Sequence, residues 1–267
     1  MEKLHHELWI VQLVNAILGA PVTAALRALG VEPAHPDKPI PDYLVMAALI
    51  VAVVTIVALI LRSRLSVENP GKLQIMLEDG VTALGGMLDD LIGETGRRYM
   101  PLVFTVGIFI LLGNLMGLVP GLMAPTSNIN VTLGCALTVW VYYHIQGVRV
   151  QGIGPYLKHF AAPPGAPIFI APIMLPIEII SHLSRVLSLS LRLFGNIFGE
   201  ELVILILFSI IPFLVPLPMM FLGIITGSLQ AFIFVMLTMI YLGGAVAVEH
   251  HEHDPEHGHA HGAHVES

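Results

Sequence analysis

Only one cysteine, Cys135, stands in the chain, which excludes an internal disulfide and leaves it as a small residue within apolar sequence. Charge is just as scarce. Asp, Glu, Lys and Arg make up 12% of residues, against roughly 25% in soluble domains, so an ordinary water-soluble fold is excluded. The formal net charge of -7 leaves no basic excess, and nucleic acid is not an expected partner. No Gly-x-x-x-x-Gly-Lys-Ser/Thr phosphate loop occurs, so nucleotide chemistry is not expected in this chain. The residues ahead of the first apolar run include His5, His6 and Glu7 instead of a clean basic region and the cleavage-site pattern is unclear, so a cleaved signal peptide is the weaker of two readings of this segment.

What the chain does have is apolar length. Hydrophobic residues make up 55% of 267 residues, and mean hydropathy is +0.82. That composition reads as an all-α, polytopic membrane protein forming one bundle, with about five transmembrane helices, the last two long and tilted. Leu8 to Leu29 is interrupted by Gln12, Asn15, Pro21 and Arg27 and reads as an interfacial helix, followed by a loop marked by Pro33, Pro36, Pro39 and Pro41. The first span runs from about Tyr43 to Leu61, and Arg62 and Arg64 place its end in the cytoplasm. From Leu73 to Gly96, apolar positions interleave with Glu78, Asp79, Asp89 and Asp90, which predicts an amphipathic helix on the cytoplasmic surface before Arg97 and Arg98.

Spans at about Pro101 to Val119 and Val131 to Gln146 follow as an outward hairpin, and Arg149 and Lys158 return the chain to a positive cytoplasmic segment. The stretches Ile168 to Ile211 and Met219 to Val248 exceed a perpendicular span and require tilt or a kink, with Pro212, Pro216 and Pro218 expected in the turn between them. Five crossings put the N-terminus outside and the C-terminus in the cytoplasm. The tail from Glu249 to Ser267 has almost nothing to bury and reads as disordered. Its histidines, His250 through His264, show no fixed ligand spacing, so no metal site and no cofactor are expected.

Arg192 is the most informative residue, because a cation inside an apolar helix costs at least about 2.5 kcal/mol and needs a partner or a water-filled path. An ideal helix places Glu178 about 21 Å before it and roughly 40° around, on the same face. Glu201 falls about 13 to 14 Å further along and roughly half a turn away, pointing elsewhere. The two carboxylates are thus about 34 Å apart, close to the hydrocarbon thickness, with Arg192 between them. His182 follows Glu178, Asn196 follows Arg192 and Glu200 follows Asn196, each at i+4, which are stepping distances for water-assisted proton transfer. Gln230 on the last span is a further candidate, able to bond across helices. Ion-coupled secondary transport is the rival reading, but the chain shows no clear internal repeat and no second Arg-centred motif.

At these residues the chain resembles subunit a of the F-type ATP synthase. The likeness is carried by Glu178 to Glu201 with Leu191-Arg192-Leu193-Phe194-Gly195-Asn196 at its centre, by Asn114 to Gly121, by Asn130-Val131-Thr132-Leu133 and by Leu229 to Thr238. It covers about Tyr43 to Val248.

The resemblance implies three regions: an extracytoplasmic or interfacial segment over 1–42, a membrane channel domain over 43–248 and a His-rich tail over 249–267. It implies a non-enzymatic channel subunit in a bacterial inner membrane, packed against a ring of c subunits and associated with peripheral-stalk b subunits, the remaining ATP synthase subunits and lipid. Arg192 then faces a ring carboxylate, Glu201 serves the half-channel from outside, Glu178 the half-channel to the cytoplasm, and Asn196 and Gln230 line the path or orient the arginine. The chain departs from one common family version by carrying Glu200 and Gly223, which makes Glu200 a second titratable candidate.

Overall fold

The computed structural model describes residues 9–28, 30, 38–66, 70–93, 95–119, 121–156, 171–210 and 216–246. Helices dominate them: α1 (Trp9–Ala28), α2 (Asp42–Arg64), α3 (Lys72–Ile92), α4 (Met100–Met116), α5 (Ile129–Gln151), α6 (Ala171–Ile210) and α7 (Pro216–Val246), with 3₁₀ turns at Gly96–Tyr99 and Pro125–Ser127. Four stretches among the described residues are long and apolar enough to cross a membrane: α2, the unit Gly96–Met116, Pro172–Ile210 and α7. α5 has the length, 23 residues, but also carries His144, Gln146, Arg149 and Gln151. It keeps part of this polarity inside the bundle, where Gln146 is buried and Gln151 donates to the Ala245 carbonyl at 2.9 Å.

The helix ends follow from local chemistry. Asn128 caps α5 by accepting from the Asn130 amide at 3.0 Å, satisfying one of the orphan N–H groups of its first turn. Pro41 precedes α2, and Pro101 occupies the first turn of α4, where a missing N–H costs nothing. That same property corrects one expectation. Pro216 and Pro218 lie in the first turn of α7 and not in a turn between helices, because the opening of a helix requires no amide hydrogen there. Pro212, the tail from Glu249, and His5, His6 and Glu7 lie outside the described residues.

α6 is 40 residues long and contains Pro176, and α7 is 31. At 1.5 Å per residue they extend about 60 and 46 Å, well beyond a hydrocarbon core of about 30 Å, so both must tilt or reach past it. Around them the core draws on four helices. Ile110 of α4, Val139 and Tyr143 of α5, Val186, Leu189, Leu193 and Ile197 of α6, and Phe234 and Leu242 of α7 form one buried cluster. A second cluster seats α3 against α4 and α7 through Leu88, Val103, Val235 and Met239. α3 thereby buries Leu88 and half-buries Leu84 and Met87, while Leu73, Ile75, Met76 and Leu91 stay exposed along with Glu78, Asp79 and Asp90. α1 packs on α2 through Val11, Val45 and Met46, and Asn15 fastens the α2 lead-in by exchanging two hydrogen bonds with the Ile40 backbone.

Candidate functional site

α6 has two unlike faces. Toward the bundle it presents Leu189, Leu193 and Ile197, which are 3%, 0% and 4% exposed. On the outward face stand Ser184, Ser188, Arg192 and Asn196, all exposed, set among exposed Leu187, Leu191 and Phe198. Arg192 forms no hydrogen bond or ion pair with any described residue. Its guanidinium is therefore neither neutralised by Glu178 nor buried, although the helical spacing puts the two on one face; the axial separation is too great for contact.

Asn196 is the member of this face that ties it to the next helix, donating through Nδ2 to Gln230 Oε1 at 2.9 Å. Gln230 itself is buried on α7, and its Nε2 has no partner among the described residues. One turn away on the same seam, Asn114 of α4 donates to the Gly227 carbonyl at 2.9 Å while its Oδ1 is likewise unpartnered. Buried amide atoms with spare capacity make this seam the polar part of an otherwise apolar packing surface.

The two adjacent carboxylates diverge. Glu201 reaches the α4–α5 hairpin, where its Oε1 accepts from the Ala124 amide at 2.9 Å. Space for it exists because residue 117 is glycine; a Cβ there would stand 2.8 Å from Glu201 Oε1 and 2.9 Å from the Ala124 side chain. Glu200 turns to α7, accepting from the Thr226 hydroxyl at 2.9 Å through Oε2, and its Oε1 fills the place a side chain at Gly223 would take. Glu200 and Gly223 are thus a complementary pair, the carboxylate of one helix seated in the gap left by the other.

At the far end of α6, Glu178 Oε1 lies 3.1 Å from His182 Nε2, and His182 Nδ1 lies 2.8 Å from the Tyr143 hydroxyl on α5. Of the sequence candidates, the structure joins Asn196 to Gln230 and Glu178 to His182, while Arg192 stands one turn from Asn196 with no bond to either amide, and Glu200 and Glu201 turn to different helices. No sequence pattern above points to Tyr143, Thr226 or the Ala124 amide, which the structure adds. Thr226 had one available signal, since it stands three residues after Gly223 and four before Gln230 on one face of α7. Tyr143 had none beyond being a hydroxyl in an apolar helix, which must find a partner when buried. Among the described residues no group of three or more His, Cys, Asp or Glu side chains could hold a metal ion.

Residues 44–243 match the family described as ATP synthase A chain. The chain is 45% identical over 218 residues to ATP synthase subunit a 3 of Pelobacter propionicus, covering 82% of this chain and 93% of that one. It is 44% identical over 225 residues to ATP synthase subunit a of Citrifermentans bemidjiense, covering 84% and 94%. Against ATP synthase subunit a of Geobacter sulfurreducens the identity is 43% over 219 residues, covering 82% and 93%.

Proposed function

From the premise that the chain belongs to the ATP synthase A chain family, we infer that it is the proton-translocating stator subunit of the F-type ATP synthase membrane sector. It is a multi-pass membrane protein and one component of a larger complex. The observation that carries the mechanism is Arg192, a cation on the exposed face of an apolar helix with no partner among the described residues. Such a charge is tolerable only against water or an anion supplied from outside. A carboxylate on a neighbouring ring of c subunits is that anion, and α6 is the surface the ring passes.

The remaining polar groups divide by depth. Glu201 and Glu200, with Asn196 and Gln230, serve the half-channel from outside; Glu178, with His182 beside it, serves the half-channel to the cytoplasm. A proton arriving from outside neutralises a ring carboxylate, which can then travel through lipid without the cost of an exposed charge. After a nearly full turn it meets the inner half-channel. There it releases its proton. Arg192 favours the ionised form of the returning carboxylate by proximity and repels protons that would otherwise pass directly between the half-channels.

Each charge crossing the full potential gains about 2.3 kcal/mol per 100 mV, so several must be accumulated through rotation for one ATP. ATP chemistry resides in other subunits, and this chain catalyses none. The N-terminus lies outside and the C-terminus in the cytoplasm of a bacterial inner membrane, with peripheral-stalk b subunits as further neighbours. α6 runs unbroken past Arg192, unlike the discontinuous helices that secondary transporters use to hold substrate. Purification of the intact complex tests the reading: a ring of small hairpin subunits should accompany the chain, and a chain that purifies active in ion-coupled solute uptake without such a ring contradicts it.

A further inference from the structure

The bridge from Glu178 through His182 to Tyr143 leads away from the channel face, and what lies beyond it decides what it does. A carboxylate oxygen that carries no proton only accepts; in the tautomer that suits this, His182 donates from Nε2 to Glu178 and accepts at Nδ1 from the Tyr143 hydroxyl. Past the tyrosine the interior closes. The cavity beside its ring, bounded by apolar Ala136, Val139, Val186 and Leu189 and by Arg185 and Tyr241, has a volume of about 10 Å³, at the lower limit for holding one water. The same interior face continues toward the depth of Arg192 as buried Leu189 and Leu193. The opposite face of α6 carries Ser184, Ser188 and Arg192 in the open.

The groups around the imidazole support a fixed assembly. The His144 ring centroid lies 4.9 Å away in an edge-on contact, and His144 Nδ1 is 2.9 Å from the Trp140 carbonyl oxygen. Arg185 lies 5.4 Å from the Tyr241 ring centroid, and Tyr241 in turn lies 6.3 Å from the Tyr143 ring. His182 is 8% exposed and Tyr143 2%, so neither side chain stands in an aqueous path.

We propose that His182 and Tyr143 are positioning residues: a buried clamp, anchored on α5, that fixes the Glu178 carboxylate on the channel face, and not carriers of the transported proton. This rests on Glu178 lining the inner half-channel. The clamp spans two helices, so the carboxylate is held by the α5–α6 packing itself and not by a flexible side chain alone. Beyond the imidazole and the phenol, the described side chains enclose a cavity with room for about one water at most, which gives a relayed proton no hydrated route among them.

The test uses the intact complex in inverted membrane vesicles, read by ATP-driven pumping and, after removal of the soluble sector, by passive proton conduction across a pH series. His182→Ala and Tyr143→Phe should lower conduction, the former about tenfold. His182→Gln supplies an amide donor near the position of Nε2 but cannot relay a proton. It should recover at least half of what His182→Ala loses, with the pH profile of the parent. Conduction in His182→Gln as low as in His182→Ala, at equal assembly, overturns the proposal in favour of a proton carrier, and parent-level conduction in His182→Ala overturns the clamp.

Glu178→Gln separates this from the half-channel reading. Parent-level conduction there refutes Glu178 as a path residue, and the clamp is then decided by the ¹⁵N resonances of His182, identified by their loss in His182→Gln. Tyr143→Phe should shift the Nδ1 signal through loss of its hydrogen-bond donor; an unmoved signal overturns the clamp.

Discussion

Replacing Gly223 by alanine places a methyl group where Glu200 Oε1 now sits, so the carboxylate must leave its seat between α6 and α7. Leaving breaks the 2.9 Å bond from the Thr226 hydroxyl, and a hydrogen bond to a charged group is worth about 1.5–3 kcal/mol. Overpacking adds about 1–3 kcal/mol when it cannot be relieved. Here Glu200 is half-buried and can swing outward, which relieves most of that cost. Alanine in a helix interior returns about 1 kcal/mol relative to glycine. The net expectation is a loss of about 2 kcal/mol, a factor of roughly 30 in the folded population. SDS titration of the purified chain in mixed micelles, followed by circular dichroism, measures it. Glu200→Ala removes the obstructing carboxylate, so in the double variant the new methyl fills the space vacated, and the two effects should fall short of their sum by about 1–2 kcal/mol. Strict additivity would refute the packing of Glu200 against Gly223.

Glu201→Gln keeps an acceptor for the Ala124 amide but cannot ionise, so passive proton conduction should fall about tenfold or more at matched expression; unchanged conduction contradicts its proposed place in the outer half-channel. Asn196→Ala and Gln230→Ala each remove the same 2.9 Å bond, so each should cost about 1 kcal/mol and the double variant little more than the larger single one, as judged by the same SDS titration. Gly147→Ala puts a Cβ 2.5 Å from the Tyr156 ring and 3.0 Å from the Ala245 carbonyl oxygen, which should destabilise the α5–α7 contact by about 1–3 kcal/mol and lower the thermal midpoint. An unchanged midpoint there would show that the contact is not as close as described.

The helices were legible because bilayer thickness imposes a length on apolar runs, and because Arg62, Arg64, Arg97 and Arg98 mark their ends. Arg192 stood out for the same reason, as a charge where the solvent penalises charge. Asn196 and Gln230 were legible as candidates but not as a pair, since a bond between residues 34 apart in sequence has no local signature. The two prolines that open α7 are ambiguous in sequence because proline marks helix starts and turns alike. Glu201 was expected to point away from Arg192, but its destination, a backbone amide in the α4–α5 hairpin, depends on Gly117 letting that hairpin close over it. Tyr143 and Thr226 emerge only from tertiary packing, where a buried hydroxyl selects whichever acceptor the neighbouring helix presents.

The most direct measurement is ATP-driven proton pumping by vesicles carrying Arg192→Ala in the otherwise intact complex, with insertion and ring association checked in parallel. Pumping should be abolished while the chain still inserts and assembles, because in the proposed mechanism the outward guanidinium separates the two half-channels electrostatically. Normal pumping by that variant would contradict the mechanism at its root.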